Sequence, residues 1–389
     1  LEITEHSTEP VIIENKTILP WRQYKGTGTV TAGPTSFDVE RTTVWSFPRR
    51  GNWASHTPQY RGNWAPEVVR NIIELYSRPG DTVLDPMVGG GTTPVECLLT
   101  GRNSISVDVN PDAISITRDR LDLPPNITSD LPQTTHRTYI GDTRDLDLLG
   151  NCSVDLVAAH PPYANMIRYT KSRIPGDLSG IDDYSMFFRE FRKAIHEYYR
   201  VLKPNGYCAV LMGDTHYKSH YVPITTRLMM DFLREGFVLK EDVIKKEWNC
   251  ESDRYSNKYS NCRFLLTMHE HLFVFRKPTE LEDLRNSSIE FLMDRSREVL
   301  EPSLRRDHMI VGDEELVDLP SALGIGVDHP RRLHPVYLHP IVEVVEEMIL
   351  WISVVGVGVT NHNSGPACRE LTHILGEIPL IVVIELPSV

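Results

Sequence analysis

Thr82-Val83-Leu84-Asp85-Pro86-Met87-Val88-Gly89-Gly90-Gly91-Thr92-Thr93 is the stretch on which the fold turns. A short apolar run that ends on an acid reads as a buried strand of a parallel sheet. Gly89 and Gly91 then allow a sharp turn and close approach of a ligand to the backbone. Thr93 is placed to cap a helix, with Pro94 at its first position and Glu96 completing a capping box. A helix N-terminus aimed into such a turn suits a carboxylate. The turn lacks the Gly-Lys-Ser/Thr ending of a nucleotide-triphosphate loop.

The pattern outward from this turn alternates strand and helix. Upstream, Val68, Ile72, Ile73 and Tyr76 recur at helical spacing before Pro79-Gly80-Asp81. Downstream come a helix to about Thr100, a strand over Ser104 to Val107, and Asp108. An acid at the end of the second strand is suited to the two hydroxyls of a ribose. A third strand precedes Asp142, which could receive an adenine amino group or simply cap a helix. A fourth runs from Ser153 to Ala159, followed by an amphipathic helix from Tyr184 to Val201 that Lys203-Pro204-Asn205-Gly206 should stop. Tyr207 to Met212 is a strand, Ile224 to Arg234 a helix, and Glu270 to Arg276 a final strand. This order predicts an α/β, doubly wound sheet with a C-terminal extension.

His160-Pro161-Pro162-Tyr163 follows the fourth strand. Two prolines and an aromatic at a strand's carboxyl edge make a rigid loop on the face where α/β sheets bind ligands.

Taken with the glycine turn, this motif resembles the amino-methylating DNA methyltransferases, which form N6-methyladenine or N4-methylcytosine. Their catalytic motif is Asp/Asn/Ser-Pro-Pro-Tyr/Phe/Trp, and their cofactor motif looks like D-P-F-x-G-S-G-T-T. The resemblance runs from about Trp45 to Lys277, with the cofactor motif first. It implies a Rossmann-like methyltransferase sheet and S-adenosylmethionine as cofactor. Asp85, Pro86, Gly89, Gly91, Thr92, Thr93, Asp108 and Asp142 would surround that cofactor, with Asn63 and Trp64 adjacent. His160, Pro161, Pro162 and Tyr163 would surround a base flipped out of double-stranded DNA. Residue 160 and the Pro161 carbonyl would accept hydrogen bonds from the exocyclic amine, and Tyr163 would stack on the base. No covalent intermediate is required, and the chain has no Pro-Cys nucleophile.

His160 departs from the family pattern. An imidazole that accepts a hydrogen bond must be neutral, so activity is expected to fall as pH drops through its pKa. The departure also removes the hint that would separate adenine from cytosine. The readings weighed against a DNA enzyme are an RNA base-amino methyltransferase, a weaker protein-glutamine variant, and an inactive nucleic-acid-binding relative.

The chain has 389 residues, a net charge of −12, and six cysteines without a C-x-x-C pair, so neither a metal site nor a disulfide frame is suggested. The apolar run Met348 to Val359 is too short to span a membrane. With no signal peptide in view, these features point to the cytoplasm, although a start at Leu1 leaves room for a removed segment. The stretch from Arg41 to Pro66 has no acidic residue and mixes Arg41, Arg49, Arg50 and Arg61 with Trp45, Phe47, Trp53, Tyr60 and Trp64. That mixture suits either nucleic-acid contact or a packed loop. Residues 1–40 read as a leader, 41–278 as the methyltransferase domain and 279–389 as a C-terminal region. Lys245 to Cys262 and Glu280 to Arg332 are candidate target-recognition segments, the first preferred for its Arg, Lys, Asn and Tyr. From His339 the sequence loosely echoes the cofactor half, which suits a packing or dimer surface better than a second cofactor site.

Overall fold

The structure is a computed structural model. It describes residues 1–288 apart from 6–7, 14–15, 27, 29, 164–173, 218–219, 249–264, 280–281, 283 and 285–286. The chain divides into two units, Leu1–Asp307 and His308–Val389. The second lies outside the described residues, as do most of both candidate recognition segments and the whole echo from His339.

In chain order the elements are β1 (Val11–Ile13), β2 (Lys16–Ile18), α1 (Trp21–Lys25), β3 (Val44–Trp45), α2 (Pro66–Tyr76), β4 (Thr82–Asp85), α3 (Thr92–Thr100), β5 (Asn103–Asp108), α4 (Pro111–Leu121), α5 (Pro125–Thr128) and β6 (His136–Ile140). They continue with β7 (Val154–Ala159), α6 (Tyr184–Val201), β8 (Leu202–Met212), β9 (Thr215–Tyr217), β10 (His220–Val222), α7 (Ile224–Glu235), β11 (Val238–Lys246) and β12 (His269–Arg276).

Eight strands form one sheet in the order β3-β11-β12-β8-β7-β4-β5-β6. From β6 to β8 all neighbours are parallel, whereas β12 is antiparallel to both β8 and β11. Such parallel strands must bury both faces, and the alternation of residues shows that they do. Leu84, Val157, Ala159, Cys208, Val210 and Phe275 join α6 and α7 in one core. Val83, Leu156, Ala158, Ala209, Leu211 and Val274 join α2 in the other. The sheet is therefore doubly wound, as the sequence order predicts. Its direction of winding reverses at β4, between β5 and β7, and the carboxyl ends flanking that point form the expected ligand crevice.

Two local readings are corrected, and one open alternative is decided for part of its stretch. β8 begins directly after α6, so Lys203-Pro204-Asn205-Gly206 lies within a bulged strand rather than in a turn between elements. Asn205 takes a left-handed conformation there (φ 64°). β11 begins well before Lys245, where an inserted loop was expected to start, and its alternation is broken by an irregularity between Leu239 and Glu241. In the Arg41 to Pro66 stretch the packed-loop reading holds for the aromatics, since Trp45, Trp53, Tyr60 and Trp64 are all buried. Residues 1–3 also pair with the β6 edge, where the Ile3 and Ile140 amides donate to the Thr138 and Leu1 carbonyls.

Candidate active site

The cleft at the winding reversal takes in about 740 Å³ of space, part of it open to solvent. One wall is the turn after β4, Pro86 to Gly90; a second is Asp108 to Asn110 at the end of β5. His160 and Pro162 follow β7, and Tyr60 to Trp64 and Gly176 to Leu178 close the sides.

The glycine turn is built from its neighbours. Gly89 and Gly91 take left-handed conformations (φ 50° and 77°). A Cβ on Gly89 would come within 3.0 Å of the Tyr60 ring, so a side chain there would collide with the wall. The cap differs from the sequence reading: Gly91 is the N-cap and α3 begins at Thr92. Thr93 is released from capping because its hydroxyl donates to Asp85 Oδ2 (2.5 Å). Glu96 is equally diverted, since its buried carboxylate accepts from Trp53 Nε1 (2.8 Å) and Arg70 Nε (2.7 Å) and lies 2.6 Å from His56 Nε2.

Asp85 does not line the cleft. It is buried beneath the turn, where it also accepts from the Met87 amide, and burial pushes its carboxyl up to about 7. Asp108 does line it. Its two oxygens accept from the Gly89 and Asn110 amides, both at 2.9 Å, and burial raises its carboxyl to about 6. Nearby Asp177 adds to that rise.

Asp142 is placed differently from the expectation. Its carboxylate is taken by Arg144, at 2.7 Å from Nη2, and it is not among the lining residues. Thr143, the next residue, lines the cleft instead. Gly91, Thr92 and Thr93 also sit behind the lining, with the Thr92 hydroxyl 2.7 Å from the Asn63 amide.

His160 is a lining residue, its ring 5.5 Å between centroids from buried Trp64. Its Nε2 lies 3.0 Å from the Tyr163 hydroxyl, Nδ1 is buried, and the Gly62 backbone acts on the ring in the sense that favours its charged form. Burial holds the imidazole down at about 4. Pro161 and Tyr163 are not lining residues. Tyr163, expected to offer a stacking face, packs against Gly213 and donates its hydroxyl proton to Glu270.

Of the expected site residues, then, Asn63, Trp64, Pro86, Gly89, Asp108, His160 and Pro162 converge on one cleft. Tyr60, Gly62, Gly176, Asp177 and Leu178 were missed. Tyr60 and Gly62 fall in the arginine- and aromatic-rich stretch read above; Gly176, Asp177 and Leu178 lie in no motif, and only the winding of the sheet brings them to the cleft. Among the described residues no cluster of acids, histidines and cysteines could hold a metal ion, and no helix is long and apolar enough to cross a membrane.

The residues present fit an adenosyl cofactor. Asp108 offers a carboxylate at the expected ribose position, Met87, Val109 and Leu178 offer apolar contact, and the turn leaves no room for a side chain at Gly89.

The family model described as DNA methylase matches residues 11–119 and 154–309. A type II methyltransferase, M.XycI of Xanthomonas campestris pv. cyanopsidis, is 34% identical over 77 residues, covering 19% of this chain and 26% of that protein. M.MthZI of Methanothermobacter thermautotrophicus, also a type II methyltransferase, is 24% identical over 161 residues, 37% of this chain and 45% of the relative. The DNA adenine methyltransferase YhdJ of Escherichia coli K12 is 29% identical over 119 residues, 29% and 39% of the two chains. The matched part thus spans less than half the length of each of these relatives. Among solved structures, an S-adenosylmethionine-dependent methyltransferase of Methanosarcina mazei aligns with a TM-score of 0.38 and 14% identity, over 54% of this chain and 98% of that one. The family match takes in well over half of the 389 residues, including the glycine turn, Asp108 and His160 to Tyr163, and this chain belongs to the DNA methylase family.

Proposed function

We propose that the cleft binds S-adenosylmethionine and that the chain methylates the exocyclic amino group of adenine or cytosine in DNA. The observation that carries this reading is the meeting of Asp108 and His160 in one cleft at the winding reversal, from the ends of two different strands. Asp108 would hold the ribose hydroxyls, and the turn from Pro86 to Gly90 the methionine side. When bound, the sulfonium supplies an electrophilic methyl group.

What the protein must supply is a better nucleophile and the right geometry. The lone pair of a base amine is delocalised into its ring. A neutral His160 accepting one of its N–H bonds shifts that nitrogen towards a tetrahedral, more nucleophilic form. Pro162 and Trp64 flank the same space and would confine a flipped base. Alignment of amine and methyl would supply much of the rate. After transfer the extra proton leaves the amine; a neutral imidazole can accept it.

The test is transfer of labelled methyl from S-adenosylmethionine to mixed genomic DNA and to total RNA, with nucleoside analysis. Label in N6-methyladenine or N4-methylcytosine of DNA is expected. Label confined to RNA, or none with cofactor still bound, overturns the reading.

A further inference from the structure

The carboxyl edge of the sheet, where the cleft lies, divides into two halves of opposite charge. On the β5 and β6 side, residues 108–112, 141–148 and 174–178 hold Asp108, Asp112, Asp142, Asp145, Asp147 and Asp177 against Arg144 alone. The other half is made by the ends of β8, β11 and β3 and the start of β12, because β12 runs antiparallel to β8 and β11 while β3 is parallel to β11. There the described residues among 46–50, 213–222, 245–248 and 265–269 carry Arg49, Arg50, Lys245 and Lys246 against Asp214 and Glu247. Lys245 is paired with Glu270, directly opposite it in β12, at 2.6 Å. Arg50 is turned inward to the Asn63 and Trp64 carbonyls, which leaves Arg49 and Lys246 as the exposed cations of this half among the described residues.

The same half carries aromatic side chains that are held in place without being buried. Trp248 is exposed, whereas Trp21, Trp45, Trp53 and Trp64 are all buried. Its indole N–H donates to Ser46 Oγ at 3.2 Å, and Lys246 Nζ lies 4.0 Å from the ring centroid. The β9–β10 hairpin follows the end of β8, and its exposed Tyr221 donates to Asp214. Asp214 also accepts from the Thr225 amide of α7 (2.8 Å), and the His216 ring stands edge-on to Tyr221 with centroids 5.5 Å apart. Side chains fixed in this way lose little freedom when they meet a partner.

We propose that duplex DNA lies along the β8-to-β3 half of this edge and avoids the β5–β6 half, with Arg49 and Lys246 on its phosphates and Tyr221 and Trp248 against its backbone. DNA as the occupant rests on the methyl-transfer reading above; the choice of half rests on charge. A duplex carries one negative charge per about 1.7 Å of its axis, so a path over the β5–β6 half would set it against a row of carboxylates. From β7, which leads into His160, to β3 there are four strand spacings. At about 4.8 Å each they span about 19 Å. That length corresponds to about five or six base pairs at 3.4 Å per step. The duplex is therefore held on one side of the target base, and a chain of net charge −12 can hold it because the contact is local.

The test is binding of the full chain to a fluorescent duplex of mixed sequence, a few helical turns long, read by anisotropy over a salt series. Arg49→Gln and Lys246→Gln are each expected to lower the slope of log affinity against log salt by about 0.9, the value for one phosphate contact. Lys203→Gln removes the same charge near the start of β8, at the opposite edge of the sheet, and should leave the slope unchanged. Replacing Asp145 and Asp147 together by Asn should raise affinity by less than about two-fold at physiological salt, where charges more than about 8 Å away are screened. DNA should quench the protein's tryptophan emission, and Trp248→Phe should remove most of that quenching.

An unchanged slope in either cation variant overturns the proposal, as does a larger gain in the aspartate variant or quenching that survives Trp248→Phe. Binding of total RNA without binding of duplex DNA overturns it too. Failure of the methyl-transfer reading would appear separately, as absence of label in nucleic acid from a protein whose duplex affinity and salt slopes are as expected.

Discussion

Asp108 and His160 are both buried ionisable groups, and burial moves them in opposite directions. Asp108 is raised from 3.8 to about 6, so its proton leaves near neutrality. In its proposed role the ionised form would accept two ribose hydroxyls best, and cofactor affinity is expected to rise as pH climbs from 5 to 7. Calorimetric titration across that range checks this, and Asp108→Asn should bind weakly with no pH dependence. The same shift has the opposite sign for folding: the native state holds a proton that the unfolded chain has released, so this group's stabilising contribution declines between pH 3.8 and about 6. His160 corrects the expectation of a fall within the ordinary histidine range. Its imidazole is held at about 4, so with saturating cofactor the methyl-transfer rate should be flat from pH 8 to about 5.5 and fall only as pH approaches 4. A rate that halves near pH 6.5 would contradict this. Residue identity alone signalled Asp108 and His160, because each follows a readable strand. It could not signal Glu270, whose partnership with Lys245 exists only in the register between two strands.

At the scale of elements, the apolar runs were legible because a doubly wound sheet demands them. β4, β5 and β7 are short and buried, and α6 has one apolar stripe that fits it to the sheet. β11 was partly mistaken for loop because it lies towards the sheet margin, alternates only in part and ends in Lys245-Lys246. The N-cap was misread for a different reason: Asp85 and the Trp53–His56–Arg70 group compete for Thr93 and Glu96 and win. Tertiary partners that sequence spacing does not reveal thus override a local capping rule. The same dependence on tertiary packing holds for α7, whose Phe232 stacks on Phe275 of β12 with centroids 4.3 Å apart and rings within 3° of parallel. Phe232→Ala should destabilise the protein by about 3–5 kcal/mol, measured by urea unfolding, because the site cannot collapse against a rigid strand.

For the molecule as a whole, the cleft is assembled from six separate stretches of chain, so whatever fills it ties them together. S-adenosylmethionine at a hundred times its dissociation constant should add about 2.7 kcal/mol of stability. A melting temperature that rises with cofactor concentration, and does not rise in Asp108→Ala, is the expected result. The net charge of −12 says nothing against this, since the cleft's own chemistry is local.

The position of β12 has a consequence for biosynthesis. It is the last of the described strands yet sits inside the sheet, between β8 and β11. A growing chain therefore carries β8 with one edge unsatisfied until Arg276 has left the ribosome. Translation at about 5–20 residues per second makes that interval several seconds. During it, the Cys208 to Met212 run is an open template for pairing with another nascent copy. Only when β12 arrives is that edge sealed, and the chain then leaves its period of greatest aggregation risk.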